Sequence, residues 1–251
     1  MRGVGTASEL AGLIRDRGPA VVLTGAGMST ESGIPDFRSA SGLWAEVDPY
    51  EVASIDAFHR DPERVWRWYG PRIHSLLEAN PNEGHVALAA LEQAGHVSAV
   101  VTQNIDTLHT RAGSSDVTEV HGSIRSFTCL ACSRHERLDA VLAQLAEREA
   151  PVCPDCASIL KPGVVMFGEL LPVDAIARAE ALARSTAVLI VVGSSLEVWP
   201  VAGLPGDTVS AGGSLAIVNR DPTPYDDMAT VVVRDGAGAT LTAVTKQLGV
   251  V

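Results

Sequence analysis

The stretch Ala20–Arg38, AVVLTGAGMSTESGIPDFR, constrains this chain more than any other. It opens on a short apolar run, Ala20–Leu23, with the composition of a strand buried on both faces of a parallel sheet. Thr24-Gly25-Ala26-Gly27 follows without a break. Glycines placed directly after a strand let the backbone approach a pyrophosphate closely and turn free N–H groups toward it. The third glycine of the dinucleotide fingerprint G-x-G-x-x-G is absent, because Thr30 stands in its place. Further on, Gly33-Ile34-Pro-Asp36-Phe37-Arg38 sets an acid, an aromatic ring and a guanidinium where a dehydrogenase continues its helix. The loop is expected to hold a dinucleotide and to do something other than move a hydride.

Four apolar runs, Ala20–Leu23, Val97–Val101, Ala187–Val192 and Ser214–Val218, read as strands, with Val231–Val233 as a candidate fifth. Helical patterns over Ala7–Arg17, Pro62–Ala79, Gly84–Ala94, Asp139–Arg148 and Val173–Arg184 separate them. This alternation predicts an α/β fold with a doubly wound parallel sheet. The strands end in polar turns: Thr24-Gly25, Thr102-Gln103-Asn104-Ile105-Asp106, Gly193-Ser194-Ser195 and Asn219-Arg220-Asp221. In open α/β sheets ligands sit beyond the carboxyl ends of the strands, so these clusters are expected to line one crevice.

Two segments break the rhythm. Residues 39–75 are rich in Trp, Tyr and His and read as a helical module, while 126–160 hold all four cysteines and read as a second insert. The remaining pieces, 1–38, 76–125 and 161–251, are expected to form one nucleotide-binding domain. A hydrophobic content of 46% with only 4% aromatics calls for an aliphatic core. The net charge of −11 argues against a nucleic-acid surface and is compatible with basic, lysine-bearing partners. Glu9, Asp16 and arginines interrupt the N-terminal stretch, which does not read as a signal peptide. The longest apolar run, Ala187–Val192, falls far short of the ~20 residues of a membrane helix. A cytoplasmic protein with reduced cysteines is the expectation.

The cysteines fall as Cys129-x2-Cys132 and Cys153-x2-Cys156, with twenty residues between the pairs. Two such knuckles match a tetrahedral Zn²⁺ site with four thiolates, closed to water and therefore structural. Two disulfides, or four unrelated core cysteines, are the competing readings.

Taken together, Gly25-Ala26-Gly27-Met28-Ser29, Gly33-Ile34-Pro-Asp36-Phe37-Arg38, Thr102-Gln103-Asn104-Ile105-Asp106-x-Leu-His109, His121-Gly-Ser123, the four cysteines, Lys161–Glu169 and Gly193-Ser194-Ser195 resemble the sirtuins, NAD-dependent protein lysine deacylases. The motifs follow the family's order and span residues 20 to 221. The resemblance implies a Rossmann-like domain carrying a small zinc-ribbon insert and a helical module, with NAD as co-substrate meeting acyl-lysine between them. In that chemistry the acyl oxygen attacks the nicotinamide ribose at C1′, nicotinamide leaves, and the acyl group ends on ADP-ribose.

The resemblance carries roles onto these positions. Asn104 and Asp106 would hydrogen-bond the nicotinamide carboxamide, with Ile105 beside them, and Gln103 would contact the nicotinamide ribose. Ser29 and the N–H groups of Gly25, Ala26, Gly27 and Met28 would take the phosphates, with Ser32, Gly33 and Ile34 completing that loop. Asp36 and Arg38 would lie over ribose and phosphates, Phe37 would shield the reacting carbon from water, and Trp44 would join them. Gly193, Ser194 and Ser195 would add donors. Asn219, Arg220 and Asp221 would serve the adenine ribose, and Ala237 would pack near adenine. His121 would be the general base, since an imidazole near pKa ~6.5 can take a proton from a ribose hydroxyl at neutral pH. His109 is expected to fix the Gln103–Asp106 loop.

Trp66-Arg-Trp-Tyr69-Gly-Pro-Arg72 contains a Tyr-x-x-Arg pair. In the sirtuin branch that removes acidic acyl groups, such a pair lies at the floor of the acyl pocket. Residues three apart share a helix face, so Tyr69 and Arg72 could converge on the carboxylate of succinyl- or malonyl-lysine. The bland reading has Tyr69 packing and Arg72 paired with Glu63 or Glu78. Gly70-Pro71 is expected to disturb the helix, and Asp36 departs from the threonine that branch carries. The peptide backbone is expected between Gly163–Glu169, including Phe167, Gly168 and Glu169, and Ser195–Val198, by strand addition. Val165 and Val198 would wall the lysine tunnel, or simply pack.

The expected partners are acyl-lysine proteins or peptides, with neither nucleic acid nor membrane, and a monomer is the working expectation. A plain deacetylase and a protein mono-ADP-ribosyltransferase are the alternatives that use the same NAD site. A dehydrogenase is disfavoured by Thr30, and a non-catalytic NAD-binding module by the presence of His121 and Asn104.

Overall fold

The structure is a computed structural model that describes residues 5–39 and 42–250. Residues 40 and 41 of the helical module, and residues 1–4 of the N-terminal stretch, lie outside the described residues. Nine strands are described: β1 Ala20–Thr24, β2 Val97–Thr102, β3 Val117–Glu119, β4 Gly122–Thr128, β5 His135–Arg137, β6 Lys161–Val164, β7 Val188–Val192, β8 Ser214–Val218 and β9 Val231–Val233. Six of them make one sheet in the order β3-β2-β1-β7-β8-β9, with every pairing parallel. The chain therefore grows outward from β1 on one side and from β7 on the other. The reversal between β1 and β7 opens a crevice at the carboxyl ends of the strands.

All residues of β1, β7 and β8 are buried, which explains why they read as unbroken apolar runs. Helices Ala7–Arg17, Glu83–Gln93 and Ala237–Leu248 cover one face, packing Leu10, Leu88 and Leu241 on Val22, Val100 and Ile190. Helices Val173–Ser185 and Leu204–Ser210 cover the other, packing Ala179 and Leu204 on Leu23, Val191 and Ile217. Helix Ala7–Arg17 starts at a capping box in which Thr6 and Glu9 bond each other's backbone. Helix Ala237–Leu248 was not among the expected helices, and Thr240, Thr242 and Thr245 dilute its apolar face.

A second core lies beside the sheet. Strands β5-β4-β6 form a small antiparallel sheet. Phe127 of that sheet and Leu160 pack against Trp66 and Ile73 of helix Pro62–Glu78. The Trp66 indole N–H donates to the Leu160 carbonyl at 2.7 Å. The helical segment and the cysteine segment, 94 residues apart at this contact, thus share one apolar cluster. Helix Pro62–Glu78 runs through Gly70-Pro71 without a break, against expectation. Pro71 forfeits one backbone hydrogen bond, and burial of Val65, Trp66, Tyr69 and Ile73 along one face outweighs that loss. Among the described residues, no helix is long and apolar enough to cross a membrane.

Candidate active site

The crevice is built on glycine touching glycine. Gly25 N–H donates to Val192 O at 3.0 Å and Gly27 N–H to Gly193 O at 2.9 Å, so the loops after β1 and β7 cross. Gly193 has φ +62°, and a Cβ there would lie 2.4 Å from Met28 N. A Cβ on Gly27 would lie 2.8 Å from Gly193 Cα. No residue with a side chain fits this crossing, which is the physical reason for both glycines. The β1 loop continues as two 3₁₀ turns, Ala26–Met28 and Thr30–Ser32, and Gly33 closes the second in the left-handed region. Ile34 N–H then bonds back to Ser29 O at 3.3 Å.

A cavity at this crossing is lined by Gly27, Asp36, Gly193, Asn219, Arg220, Asp221 and Ala237, all of them expected site residues. Thr30, Val218, Asp235 and Gly236 also line it and were not anticipated. Ala237 is the first residue of helix Ala237–Leu248. No side chain of its own caps that helix; Gly238 N–H instead donates to Glu31 Oε1 at 3.2 Å. Glu31 was missed because nothing in the sequence links it to a helix two hundred residues later. Arg234 donates to the carbonyls of Asn219 and Asp221 and pairs with Asp226, which fixes the loop after β8.

Deeper in the crevice, the β2 loop meets the β1 loop through side chains. Ser29 Oγ donates to Asp106 Oδ2 at 2.6 Å and accepts from Asn104 Nδ2 at 3.1 Å. Asn104 Nδ2 also donates to Gly25 O at 3.0 Å, and Asp106 Oδ1 accepts from Leu108 N–H at 2.9 Å. Ser29 is buried and faces this network; it does not line the cavity expected to take phosphates. Burial raises the Asp106 pKa, and the bonds from Ser29 and Leu108 offset part of that rise. Gln103 Nε2 donates to Ser194 Oγ at 2.9 Å, tying the β2 loop to the β7 loop. Ile105 O accepts from Ile124 N–H at 3.2 Å, which ties the same loop to β4. Ser32 Oγ is buried with no hydrogen-bond partner among the described residues.

His121 stands at the entrance to β4. Its Nδ1 lies 3.1 Å from Gln103 O. A carbonyl can only accept, so Nδ1 carries the proton and Nε2 presents a lone pair. Burial lowers the His121 pKa and keeps the imidazole neutral. His109 does something else than expected: its Nε2 lies 2.9 Å from Thr24 Oγ1, at the end of β1, and not on the Gln103–Asp106 loop. Thr24 also donates to Thr102 Oγ1, which in turn accepts from Asn104 N–H. His109 therefore reaches that loop through two threonines.

On the acyl side, Phe37, Trp44 and Trp68 stack in succession, and Phe167 tilts against Trp44 and Tyr50. Asp36 Oδ1 accepts from Arg38 and Ser39 N–H and sets the turn that presents Phe37. Tyr69 is buried, and burial raises its phenol pKa. Arg72 pairs with neither Glu63 nor Glu78; its Nη1 donates to Trp68 O at 2.7 Å. Val165 N–H donates to His121 O at 2.8 Å, and Phe167 exchanges backbone bonds with Ala53 and Ile55. Gly168 follows at φ +88°. Glu169 is committed to Lys161, with Oε2 2.9 Å from Nζ and 2.8 Å from Met166 N. Across the cleft, Glu197 pairs with Arg38 at 3.0 Å, joining Ser195–Val198 to the cofactor loop. Val165 and Val198 are both half-buried.

The four cysteines meet. Sγ–Sγ separations are 3.4 Å for Cys129–Cys156, 3.6 Å for Cys132–Cys153 and 3.7 Å for Cys132–Cys156, and all four sulfurs lie within 4.8 Å of one another. A regular tetrahedron with Zn–S near 2.3 Å has edges of about 3.8 Å. None of the four is in a disulfide. The two knuckles repeat one another: Ser133 and Ala157 sit at φ 60° just after each pair, and their N–H groups bond Cys129 O and Cys153 O. The donor set fits one structural Zn²⁺.

The model of the Sir2 family matches residues 25–200. An NAD-dependent protein deacetylase of Thermotoga maritima is 44% identical over 223 residues, covering 89% of this chain and 90% of that protein. An NAD-dependent protein deacylase of Pyrococcus furiosus is 41% identical over 242 residues, covering 96% and 97%. A solved Sir2 structure with deacetylated p53 peptide and 3′-O-acetyl-ADP-ribose superposes with a TM-score of 0.93 at 41% identity, covering 97% of this chain and 99% of that one.

Proposed function

Because the chain belongs to the Sir2 family, we propose that this NAD-dependent protein deacylase transfers the acyl group of acyl-lysine to ADP-ribose and releases nicotinamide. The observation that carries the reading is the Ser29–Asn104–Asp106 network beside a His121 whose Nδ1 is held by Gln103. NAD supplies the scissile nicotinamide–ribose bond, and nicotinamide departure leaves C1′ open to the acyl oxygen.

Asn104 Oδ1 accepts no hydrogen bond from the described residues, because its amide is oriented by Gly25 O and Ser29 Oγ. That leaves an acceptor for the nicotinamide carboxamide N–H, while Asp106 holds Ser29 in place. His121 Nε2 takes the proton of a ribose hydroxyl. Asn219, Arg220, Asp221 and Ala237 receive the adenosine end, and the β1 loop offers the phosphates Ala26 N–H, since the N–H groups of Gly25, Gly27 and Met28 are bonded to Val192 O, Gly193 O and Gly25 O. Arg38 exchanges Glu197 for phosphate when NAD enters. The acyl-lysine peptide lies between Gly163–Glu169 and Ser195–Val198, with Val165 and Val198 beside the lysine stem. In this reading 1–38, 76–125 and 161–251 form the NAD-binding domain, with 39–75 and 126–160 as the helical module and zinc ribbon, and the start of β4 and all of β6 reach from the first into the small sheet.

For the acyl group, we infer that Tyr69 and Arg72 recognise a terminal carboxylate, so that malonyl- and succinyl-lysine are substrates along with acetyl-lysine. Arg72 has no carboxylate within ion-pair distance among the described residues, and its Nε is buried without a partner, which supports the reading. Kinetics on one peptide bearing acetyl, malonyl or succinyl groups tests it. Arg72→Met is expected to lower kcat/KM for the acidic chains at least about tenfold more than for acetyl, the value of one charge-assisted bond. Equal losses on all three refute carboxylate recognition.

A further inference from the structure

Phe37, Trp44 and Trp68 stack with centroids 5.0 and 5.7 Å apart, and Arg72 Cζ lies 4.1 Å from the Trp68 ring. A cation on an indole face at this distance is held by the ring quadrupole. The Trp68 carbonyl also takes Nη1 of Arg72 at 2.7 Å. The Trp68 ring therefore holds the guanidinium by its face, while the backbone carbonyl of the same residue occupies one edge. The same ring meets Tyr69 edge-on at 4.6 Å, so it touches both members of the Tyr-x-x-Arg pair.

What Trp68 leaves open is informative. Arg72 Nε is buried with no partner among the described residues, and so is the Trp68 Nε1. A buried donor left unmade is costly, and native proteins retain few of them. Both donors lie on helix Pro62–Glu78, four residues apart. With Nη1 committed, the edge of the guanidinium that includes Nε is the one free for bidentate contact with a carboxylate. Glu46 acts on Arg72 through its field alone, outside ion-pair distance. Packing by itself explains the stacked ring but not an indole N–H left buried and unpaired.

We propose that Trp68 is a positioning residue for acyl-chain recognition, its ring face holding the Arg72 guanidinium where the free Nε edge meets a carboxylate and thereby setting the preference for acyl chains that end in one. The inference rests on the acidic-acyl reading above. Its test compares Trp68→Leu, Trp68→Phe, Arg72→Met and the Trp68→Leu/Arg72→Met double variant. The readout is the ratio of kcat/KM for succinyl- and acetyl-lysine on one peptide, with circular dichroism and zinc content as checks of folding. Trp68→Leu is expected to lower the ratio at least about tenfold, toward the Arg72→Met value, since it removes the ring face that holds the guanidinium and leaves only the backbone carbonyl. Trp68→Phe, which keeps an aromatic face, falls between, and the double variant falls no lower than Arg72→Met alone. A ratio unchanged in both Trp68 variants while Arg72→Met lowers it overturns the proposal. So does an equal loss on both substrates, which marks Trp68 as structural. A ratio unaffected by Arg72→Met overturns the acidic-acyl reading itself, and this inference with it.

Discussion

Replacing Ser29 with alanine removes a single hydroxyl from the centre of the site. Ser29 Oγ is the donor 2.6 Å from Asp106 Oδ2, and its loss leaves that oxygen buried and unbonded. Asn104 keeps its second bond, to Gly25 O, so the deficit falls on the carboxylate. A hydrogen bond to a charged group contributes about 1.5–3 kcal/mol, which corresponds to a Tm lowered by roughly 3–12 °C for a chain of this size. The pH dependence gives the sharper signature. Burial already places the Asp106 pKa above its ordinary value, and Ser29 pulls it back. A carboxyl whose folded pKa exceeds its unfolded value loses stability as pH rises between the two. In Ser29→Ala that window extends upward, so the deficit is full above the variant's Asp106 pKa and shrinks as pH falls through it. Urea titrations of both proteins from neutral pH down through the acid limb of the wild-type stability curve measure the difference directly. A deficit that is independent of pH, or that grows on acidification, refutes an ionised Asp106 held by Ser29.

Other outcomes follow from the same geometry. His121→Ala is expected to lower kcat by about 10²–10⁴ with NAD affinity by calorimetry little changed, and the wild-type acid limb should lie below the ordinary histidine range because burial lowers that pKa. Stronger loss of NAD binding than of turnover would contradict a base role. Gly193→Ala should destabilise by about 2–5 kcal/mol, from the left-handed backbone and the backbone atoms of Met28 and Gly27 in the way, and a thermal midpoint near wild type would contradict the crossing. Elemental analysis should find one zinc per chain, and chelation should unfold the small antiparallel sheet, since structural zinc contributes apparent binding of about 10–16 kcal/mol. A zinc-free protein with unchanged circular dichroism contradicts the thiolate site. Glu197→Gln, which removes an exposed ion pair, should shift stability by less than about 1 kcal/mol.

The elements legible in the sequence are those whose chemistry is local. β1, β7 and β8 are buried on both faces, so their apolar runs show at once, and each cysteine knuckle closes within its own five residues. The glycines after β1 were legible as a phosphate loop, yet what requires them is Gly193 in the loop after β7. Strands of three and four residues such as β3 and β6 carry too few positions for a period to appear. Helix Ala237–Leu248 is made by contact with helix Glu83–Gln93 and by Glu31 at its start, neither visible along the chain. Pro71 reads as a breaker by local rules, and tertiary burial of Trp66 and Ile73 overrides it. Ser29 reads as a phosphate ligand by its place in the loop, whereas its hydroxyl is taken by Asp106 from a loop 77 residues later.

The central claim is tested most directly by mass balance. The protein is incubated with NAD and an acyl-lysine peptide, and nicotinamide, free peptide and acyl-ADP-ribose are quantified together by mass spectrometry. The account predicts that the three products appear in equal amounts and that none forms when NAD is omitted. Nicotinamide released without deacylated peptide, or peptide deacylated without NAD, would contradict it.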